Sequence, residues 1–235
     1  MRQAESDQAD YAVVPLENST EGSVGRTLDL LVSSPLRACG EVVLRIHHQL
    51  LRNREGLDGV QTVYGHAQAL AQCHDWLGKN LPDSIVRVPV SSNAEAARLA
   101  AANGSALAVA GITAAEIYGL TVLARNIEDE PNNTTRFLVM GHQDTGSSGN
   151  AKTSLAVSAP NRAGAVAALL QPFTESGISM TKFESRPSKS ALWEYLFFID
   201  IEGHQNDEKV QNALGLLSER ASFVKVIGSY PAAVL

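Results

Sequence analysis

The 235-residue sequence has few of the features that mark metal or nucleotide sites. Its two cysteines, Cys39 and Cys73, lie far apart without CxxC spacing, so reduced thiols are expected. The six histidines include no HExxH pattern, and neither GxGxxG nor GxxxxGK[ST] occurs. The sequence therefore predicts no bound metal ion and no cofactor.

Charge and hydropathy argue against two further classes of protein. The net charge of −6 and the scattered Lys and Arg residues give no basic surface for nucleic acid or for a membrane. No apolar run approaches the ~20 residues of a membrane-spanning helix. The first residues, 1–7, are polar and acidic and do not form a secretory signal, so the cytoplasm is the expected compartment.

Short apolar runs alternate with helical patterns through residues 1–141. Such spacing indicates βαβ units, an α/β fold and a mostly parallel sheet. Residues 41–51 read as a single long strand. This segment and a second one near 121–137 are expected to cross between two lobes with a cleft between them, as in bilobal small-molecule-binding folds.

The second half of the chain has a different pattern. Residues 142–150 contain no apolar side chain, which marks a linker over 142–151. After the linker the predicted order of elements is βαββαβ, a ferredoxin-like unit over 152–235. The expected organisation is thus a first domain at 1–141, the linker, and a second domain at 152–235.

Two polar junctions between strand and helix are candidate binding sites. Asn18 and Ser19 follow a predicted strand at 11–15 and precede a helix, an arrangement that suits an anion site and equally suits simple helix capping. Gln72 shares a helix face with Gln68 after the strand at 60–64. A solvated helix face is the usual interpretation of that second pattern.

A third junction combines hydroxyls, a guanidinium and an aromatic ring. Thr134-Thr135-Arg136-Phe137 follows an acidic, Pro-containing turn and opens an apolar strand. Strand propensity alone accounts for such a segment. If the strand is regular, Thr135 and Phe137 share one face and Arg136 takes the other.

Two segments of the βαββαβ unit connect it to a known family. Asn161-Arg162-Ala163-Gly164-Ala165-Val166 precedes its first helix, and Glu184-Ser185-Arg186-Pro187 lies on its second strand. The unit resembles the ACT domain of prephenate dehydratases, although the family's Pro before the Gly is Ala163 here. The resemblance implies a phenylalanine effector site formed by Asn161, Gly164, Ala165, Val166, Glu184, Ser185, Arg186 and Pro187.

The front half of the chain agrees with this resemblance. Residues 11–20 are similar to the family's Glu-Asn-Ser loop, 65–73 to its Ser-His-Pro-Gln helix start, and 135–137 to its catalytic Thr-Arg-Phe motif. The resemblance implies a bilobal, periplasmic-binding-protein-like catalytic domain followed by the ACT domain. It further implies conversion of prephenate to phenylpyruvate, carbon dioxide and water, regulation by L-phenylalanine, and a homodimer or homotetramer.

The resemblance also implies roles for individual residues. Thr135 is expected to donate a proton to the departing C4 hydroxyl, and Phe137 to line the substrate ring. The expected substrate-binding residues of the two lobes are Asn18, Ser19 and Gln72. Arg136 is expected to bind a substrate carboxylate, for which its guanidinium is suited; this requires its strand to begin irregularly after Asn133, and Arg136 is structural otherwise.

Two departures from the family favour a competing hypothesis. Gly65 and Ala67 stand where the family has Ser and Pro, so one hydroxyl near the substrate is missing. Family members also begin with a further strand, a Gly-rich loop and helices, so the catalytic domain is expected to be N-terminally incomplete. The alternatives are a non-catalytic amino-acid-sensing protein or an inactive fragment of the enzyme.

Overall fold

The computed structural model describes residues 1–159, 162–188 and 195–234. The chain forms two compact units, the first made of Met1–Leu44 and Thr135–Leu235 and the second of Arg45–Thr134. The chain therefore passes from one unit to the other after Leu44 and returns after Thr134. Both points lie within the segments predicted to be crossings.

Helices and strands alternate along most of the described chain. The helices are α1 (Arg2–Glu5), α2 (Gly25–Ser33), α3 (Ala67–Gln72), α4 (His74–Asn80), α5 (Asn93–Ala102), α6 (Ile112–Tyr118), α7 (Ala165–Glu175) and α8 (Glu208–Arg220). The strands are β1 (Ala12–Asn18), β2 (Gly22–Ser23), β3 (Arg37–Arg45), β4 (Gln49–Arg52), β5 (Thr62–His66), β6 (Val86–Val90), β7 (Ala106–Ala110), β8 (Thr121–Ala124), β9 (Thr134–Gly141), β10 (Ala151–Ser158), β11 (Met180–Pro187), β12 (Tyr195–Glu202) and β13 (Phe223–Pro231).

The first sheet of the first unit has the order β2-β1-β9-β3. β1 runs antiparallel to both β2 and β9, so the prediction of a mostly parallel sheet is wrong here. Leu16 and Leu138 on one face join the core that also contains α2. Apolar side chains on the other face are exposed, with Val13 at 61% and Leu44 at 50% of their full exposure.

The second sheet of the first unit confirms the predicted βαββαβ fold. Its order is β11-β12-β10-β13, and each neighbouring pair of these strands is antiparallel. One face packs Leu155 and Ile199 against α7 and α8. Ala156 and Phe198, on the opposite face, join the core that contains α2 and β9. Burial on both faces explains why β12 reads as an almost continuous apolar run.

The second unit contains a mixed sheet with the order β6-β5-β7-β4-β8. β5 is parallel to β6 and β7, as predicted, whereas β4 is antiparallel to β7 and β8. The single strand predicted over 41–51 is two strands, β3 and β4, that belong to different units. Among the described residues, no helix has both the length and the apolar character needed to cross a membrane.

Lys225 joins the two halves of the first unit. Its ammonium group donates to the carbonyl oxygens of Leu31, Val32 and Ser34, at 2.9, 3.0 and 2.6 Å. These carbonyls end α2, where helical hydrogen bonds stop and the helix dipole is negative. Burial lowers the pKa of Lys225. A cation on β13 therefore completes the last turn of a helix from the N-terminal half.

We predict that Lys225→Met destabilises the protein by about 1–2 kcal/mol, because three carbonyl oxygens lose a charged donor. Urea unfolding followed by circular dichroism measures the effect. Lys209→Met, at an exposed position of α8, is the matched control and should change stability by less than about 0.5 kcal/mol. Equal unfolding midpoints for the two variants would contradict this role of Lys225.

Candidate active site

Thr135 and Asn18 are brought together by the pairing of β1 with β9. They are direct partners in the register, and Asn18 Nδ2 donates to Thr135 Oγ1 at 2.9 Å. Asn18 Oδ1 accepts the backbone N–H groups of Thr20 and Glu21, which fixes the orientation of the amide. Among the described residues, none accepts the Thr135 hydroxyl proton. The hydroxyl is therefore oriented as an acceptor toward Asn18 and keeps its proton for another group.

The local backbone explains this geometry. β9 is regular from Thr134 onward, and its burial alternates, with Arg136 and Leu138 buried and Thr135 and Phe137 half-buried. This confirms the predicted sharing of one face by Thr135 and Phe137. Ser19 is exposed in the three-residue turn between β1 and β2, which is closed by Gly22 at φ +80°.

Arg136 lies among buried charged side chains and not at an open position where a substrate could reach it. It is only 8% exposed, and its Nε donates to Glu41 Oε2 at 2.6 Å. Its Nη1 donates to Glu17 at 2.9 Å and to Asp200 at 2.6 Å, and its Nη2 donates to the Tyr230 hydroxyl at 2.9 Å. We call these five residues the Arg136 cluster. A regular strand and four internal hydrogen bonds favour the structural role over carboxylate binding.

Charge compensation accounts for the ionisation of this cluster. Burial opposes the charge of Arg136, but its carboxylate neighbours, Asp200 foremost, raise its pKa. Burial likewise acts against ionised Glu41, but hydrogen bonds from Lys152 and the Ala233 N–H hold its pKa below 4.5. Burial and the charge of Asp200 raise the pKa of Tyr230, so its hydroxyl stays protonated.

Gln72, at the end of α3, belongs to the second unit. Its Oε1 accepts from Asn133 Nδ2 at 3.0 Å and lies 3.0 Å from His48 Nε2. Its carbonyl accepts the N–H of Asp129 at 2.8 Å. These contacts occupy the amide oxygen, and among the described residues the amide NH₂ of Gln72 has no hydrogen-bond partner. That Gln72 binds substrate stays a prediction.

The glycine that replaces the family serine is tightly enclosed. Gly65 is buried in β5, and a Cβ there would lie 2.9 Å from two atoms of the Leu70 side chain and 3.4 Å from Val109. Leu70 belongs to α3, so a side chain at 65 would press on the helix that carries Gln72. Leu70 can therefore pack this closely against β5 only because residue 65 is a glycine.

The predicted effector segments lie at a helix start and on an edge strand. Gly164 is the N-cap of α7 at φ +77°, and Ala165 and Val166 form its first turn. Asn161 lies outside the described residues. Glu184, Ser185, Arg186 and Pro187 end β11, but their side chains alternate in direction: Ser185 and Pro187 are exposed, whereas Glu184 and Arg186 are partly buried.

Several site-forming residues were not predicted from the sequence. Glu41 and Asp200 are single carboxylates within apolar strands, a pattern that signals a buried counterion, and Asp200 stands in the run Phe197-Phe198-Ile199-Asp200-Ile201. Asn133 is buried immediately before β9.

Within 1–159, 162–188 and 195–234, no group of three His, Cys, Asp or Glu residues is placed to hold a metal ion.

Two family models match the chain. Residues 1–145 match the model described as prephenate dehydratase, and residues 153–215 match that of the ACT domain. The chain is 72% identical over 237 residues to a bifunctional chorismate mutase/prephenate dehydratase of Neisseria gonorrhoeae, covering 100% of this chain and 65% of that protein. It therefore spans slightly less than two thirds of that relative.

Two further proteins are similar over nearly the whole chain. A prephenate dehydratase of Mycobacterium sp. (strain JLS) is 39% identical over 229 residues, covering 96% of this chain and 72% of that protein. The crystal structure of prephenate dehydratase from Arthrobacter aurescens in complex with L-Phe has 34% identity and a TM-score of 0.89. That match covers 99% of this chain and 78% of the other.

We predict that Glu41→Gln destabilises the protein by about 3 kcal/mol at pH 7, because it removes one carboxylate from a buried, paired set of charges. The folded-state pKa of Glu41 is below 4.5, so its stabilising contribution is complete above that pH and is lost as pH falls through the folded pKa. Urea unfolding between pH 7 and pH 3 should therefore show a shallower acid slope for the variant than for the wild type. Glu55→Gln, at an exposed position, is the control, and identical slopes for Glu41→Gln and the wild type would refute the assignment.

Proposed function

Because the chain belongs to the prephenate dehydratase family, we propose that it converts prephenate to phenylpyruvate, carbon dioxide and water. Membership confirms the family predicted from the sequence motifs. The observation that carries the proposed activity is the Thr135 hydroxyl, which Asn18 orients and whose proton no described residue accepts. It supplies one positioned donor on a partly open strand face.

The chemistry requires help for a poor leaving group. As the bond from the ring to its carboxylate breaks, carbon dioxide leaves, the electron pair completes the aromatic ring, and the C4 hydroxyl departs. Thr135 donates its proton to that oxygen, which leaves as water, and regains a proton from solvent. The amide of Asn18 donates to Oγ1 and stabilises the negative charge that develops there, and such a chain of hydrogen bonds strengthens each of its members.

The other residues have supporting roles in this proposal. Phe137 lies on the same face as Thr135 and is available to line the substrate ring. Ser19 is proposed to donate to a substrate oxygen, and the prediction that Gln72 binds substrate stays a prediction. Asn18 positions Thr135, and the hydrogen bonds of Arg136 hold β9 in place. The charge of Arg136 is already matched by three carboxylates, so we do not assign it to the substrate.

L-Phenylalanine is the proposed effector of the ACT domain. Backbone N–H groups in the first turn of α7, beyond Ala165, whose own N–H donates to the Arg162 carbonyl, suit the carboxylate of an amino acid. The exposed residues Ser185 and Pro187 are proposed to complete the pocket in a homodimer or homotetramer. A related enzyme has been crystallised with L-Phe, which supports this choice of effector.

We predict that Thr135→Ala lowers kcat by on the order of a hundred- to a thousandfold with little change in KM, because only the transition state loses a donor. Thr135→Ser keeps a hydroxyl and should retain part of the activity. A coupled phenylpyruvate assay measures both, and wild-type kcat in Thr135→Ala would remove Thr135 from the mechanism.

The matched controls separate proton donation from simple loss of contact. Asn18→Asp replaces the amide donor by a carboxylate that accepts a hydrogen bond from the Thr135 hydroxyl, so it should reduce kcat as strongly as Thr135→Ala. Thr134→Ala alters the neighbouring hydroxyl, which donates to the Asn132 carbonyl, and should leave most activity. A wild-type chain that binds L-phenylalanine but forms no phenylpyruvate would favour the sensing alternative instead.

We predict that Gly164→Ala weakens L-phenylalanine binding at least tenfold, because the residue sits at φ +77° and an alanine distorts the start of α7. Gly177→Ala is the matched control, since Gly177 has φ +59° and, like Gly164, no neighbour within 4 Å of an added Cβ. Both variants should lose similar stability, but only the first should lose calorimetric binding. Equal affinities for the two would place the effector elsewhere.

A further inference from the structure

β11 presents its side chains in two directions. Phe183 and Ser185 are exposed on one side of the strand, and Phe183 stacks on Phe197 with ring centroids 5.5 Å apart. Lys182, Glu184 and Arg186 are turned to the opposite side, toward residues 17–29 of the first sheet and α2. One strand thus carries part of the predicted effector segment and also contacts the N-terminal half of the chain.

Lys182 and Glu184 hold both strands of the β1–β2 hairpin. The Lys182 ammonium forms an ion pair with Glu17 and donates to Ser23 Oγ at 2.8 Å, with its side chain only 9% exposed. Ser23 Oγ in turn donates to Glu184. Glu17 and Ser23 are direct partners across the hairpin. We call Lys182 and Glu184 the β11 clasp.

The clasped hairpin is the one that orients Thr135. Asn18 follows Glu17 directly, its Oδ1 fixes the turn through Thr20 and Glu21, and its Nδ2 donates to Thr135. Glu17 and Asn18 pair in register with Arg136 and Thr135. A displacement of Glu17 or Ser23 therefore moves the amide that orients the hydroxyl, without any change to Thr135 itself.

Arg186 adds a second contact between β11 and the same region. Its guanidinium lies directly over Gly25, where an added Cβ would be 2.4 Å from Nη1, and its Nε is 3.6 Å from Asp29 Oδ1. Gly25 begins α2, two residues after the hairpin. The start of this helix is thus also packed against β11.

From these contacts we infer that Lys182 and Glu184 are positioning residues for Thr135, and that β11 transmits effector occupancy to the hairpin of Asn18. The inference rests on the proposed function. A ligand that contacts the exposed side of β11 changes the position of this strand, and the clasp on its other side carries that change to Glu17 and Ser23. No larger rearrangement of the first unit is needed.

The test compares Lys182→Met, Lys182→Arg and Lys209→Met in the full chain. Lys182→Met should lower kcat on the order of ten- to a hundredfold with KM changed less than about threefold, since the donor is misplaced and not removed. Lys182→Arg should recover most of the activity by restoring the ion pair, and Lys209→Met should behave as wild type. Wild-type kcat in Lys182→Met would overturn the positioning role.

Hydrogen exchange gives a readout that does not depend on turnover. The amides of Thr20 and Glu21, which are bonded to Asn18, should exchange faster in Lys182→Met than in wild type or Lys209→Met. Ser23→Ala, which removes the hydroxyl between the two clasp residues, should show the same direction if Lys182→Met does not fold. Unchanged exchange in both variants would contradict the clasp.

The inferred transmission from the effector through the clasp is tested separately, by comparing how wild type and Lys182→Met respond to L-phenylalanine. L-Phenylalanine should alter exchange at residues 18–24 in the wild type, and Lys182→Met should still bind it by calorimetry while its turnover no longer responds. Inhibition of Lys182→Met as strong as that of wild type would show that the signal does not pass through the clasp. If the wild type forms no phenylpyruvate yet shows the exchange response, the proposed function fails and the clasp stands.

Discussion

The first unit depends on the burial of one guanidinium. Arg136 points from β9 into a region where Glu17, Glu41 and Asp200 come from three different strands. Removal of such a charge from water is costly unless each donor finds an acceptor, so only one relative placement of these strands satisfies it. The cost of burying this guanidinium therefore restricts the register in which these strands can pair. Lys152 and Lys182 pair with the same carboxylates, which brings three cations to three anions.

The register of β9 determines which face of the sheet carries Thr135. Because side chains alternate, the position of Arg136 inside the unit directs Thr135 to the opposite, partly open face. A slip of one residue would bury the hydroxyl and expose the guanidinium. The middle residue of the Thr-Arg-Phe motif therefore acts as the anchor that orients its neighbours. Its contacts with Asp200 and Tyr230 also make the βαββαβ half part of the support for the strand that carries Thr135.

The positions of strands and helices along the chain were largely predictable, whereas the pairing between strands was not. Period-two alternation and Gly or Pro punctuation located most strands, and the run Ala106–Ala110 was read correctly from composition alone. The long run over 41–51 misled because residues 46–48 interrupt it without any Gly or Pro signal. The antiparallel pairing of β1 with β9 joins residues more than a hundred positions apart, and local pattern holds no information on such contacts. Substrate binding by Arg136 required β9 to begin irregularly. The sequence alone could not decide whether it does.

The close approach of two backbones limits which parts of the first unit can move. Gly228 of β13 lies so near β3 that an added Cβ would be 2.2 Å from the carbonyl oxygen of Ala38. Backbone atoms cannot move aside as a flexible side chain does, so this contact fixes β13 against the first sheet. β11 is at the other end of the same sheet, and it reaches the hairpin through the long side chains of Lys182 and Glu184. Long polar contacts tolerate small shifts that a glycine-to-backbone contact does not. Movement within this unit is therefore expected at the β11 edge, next to the turn that holds Asn18, while the β13 edge stays fixed.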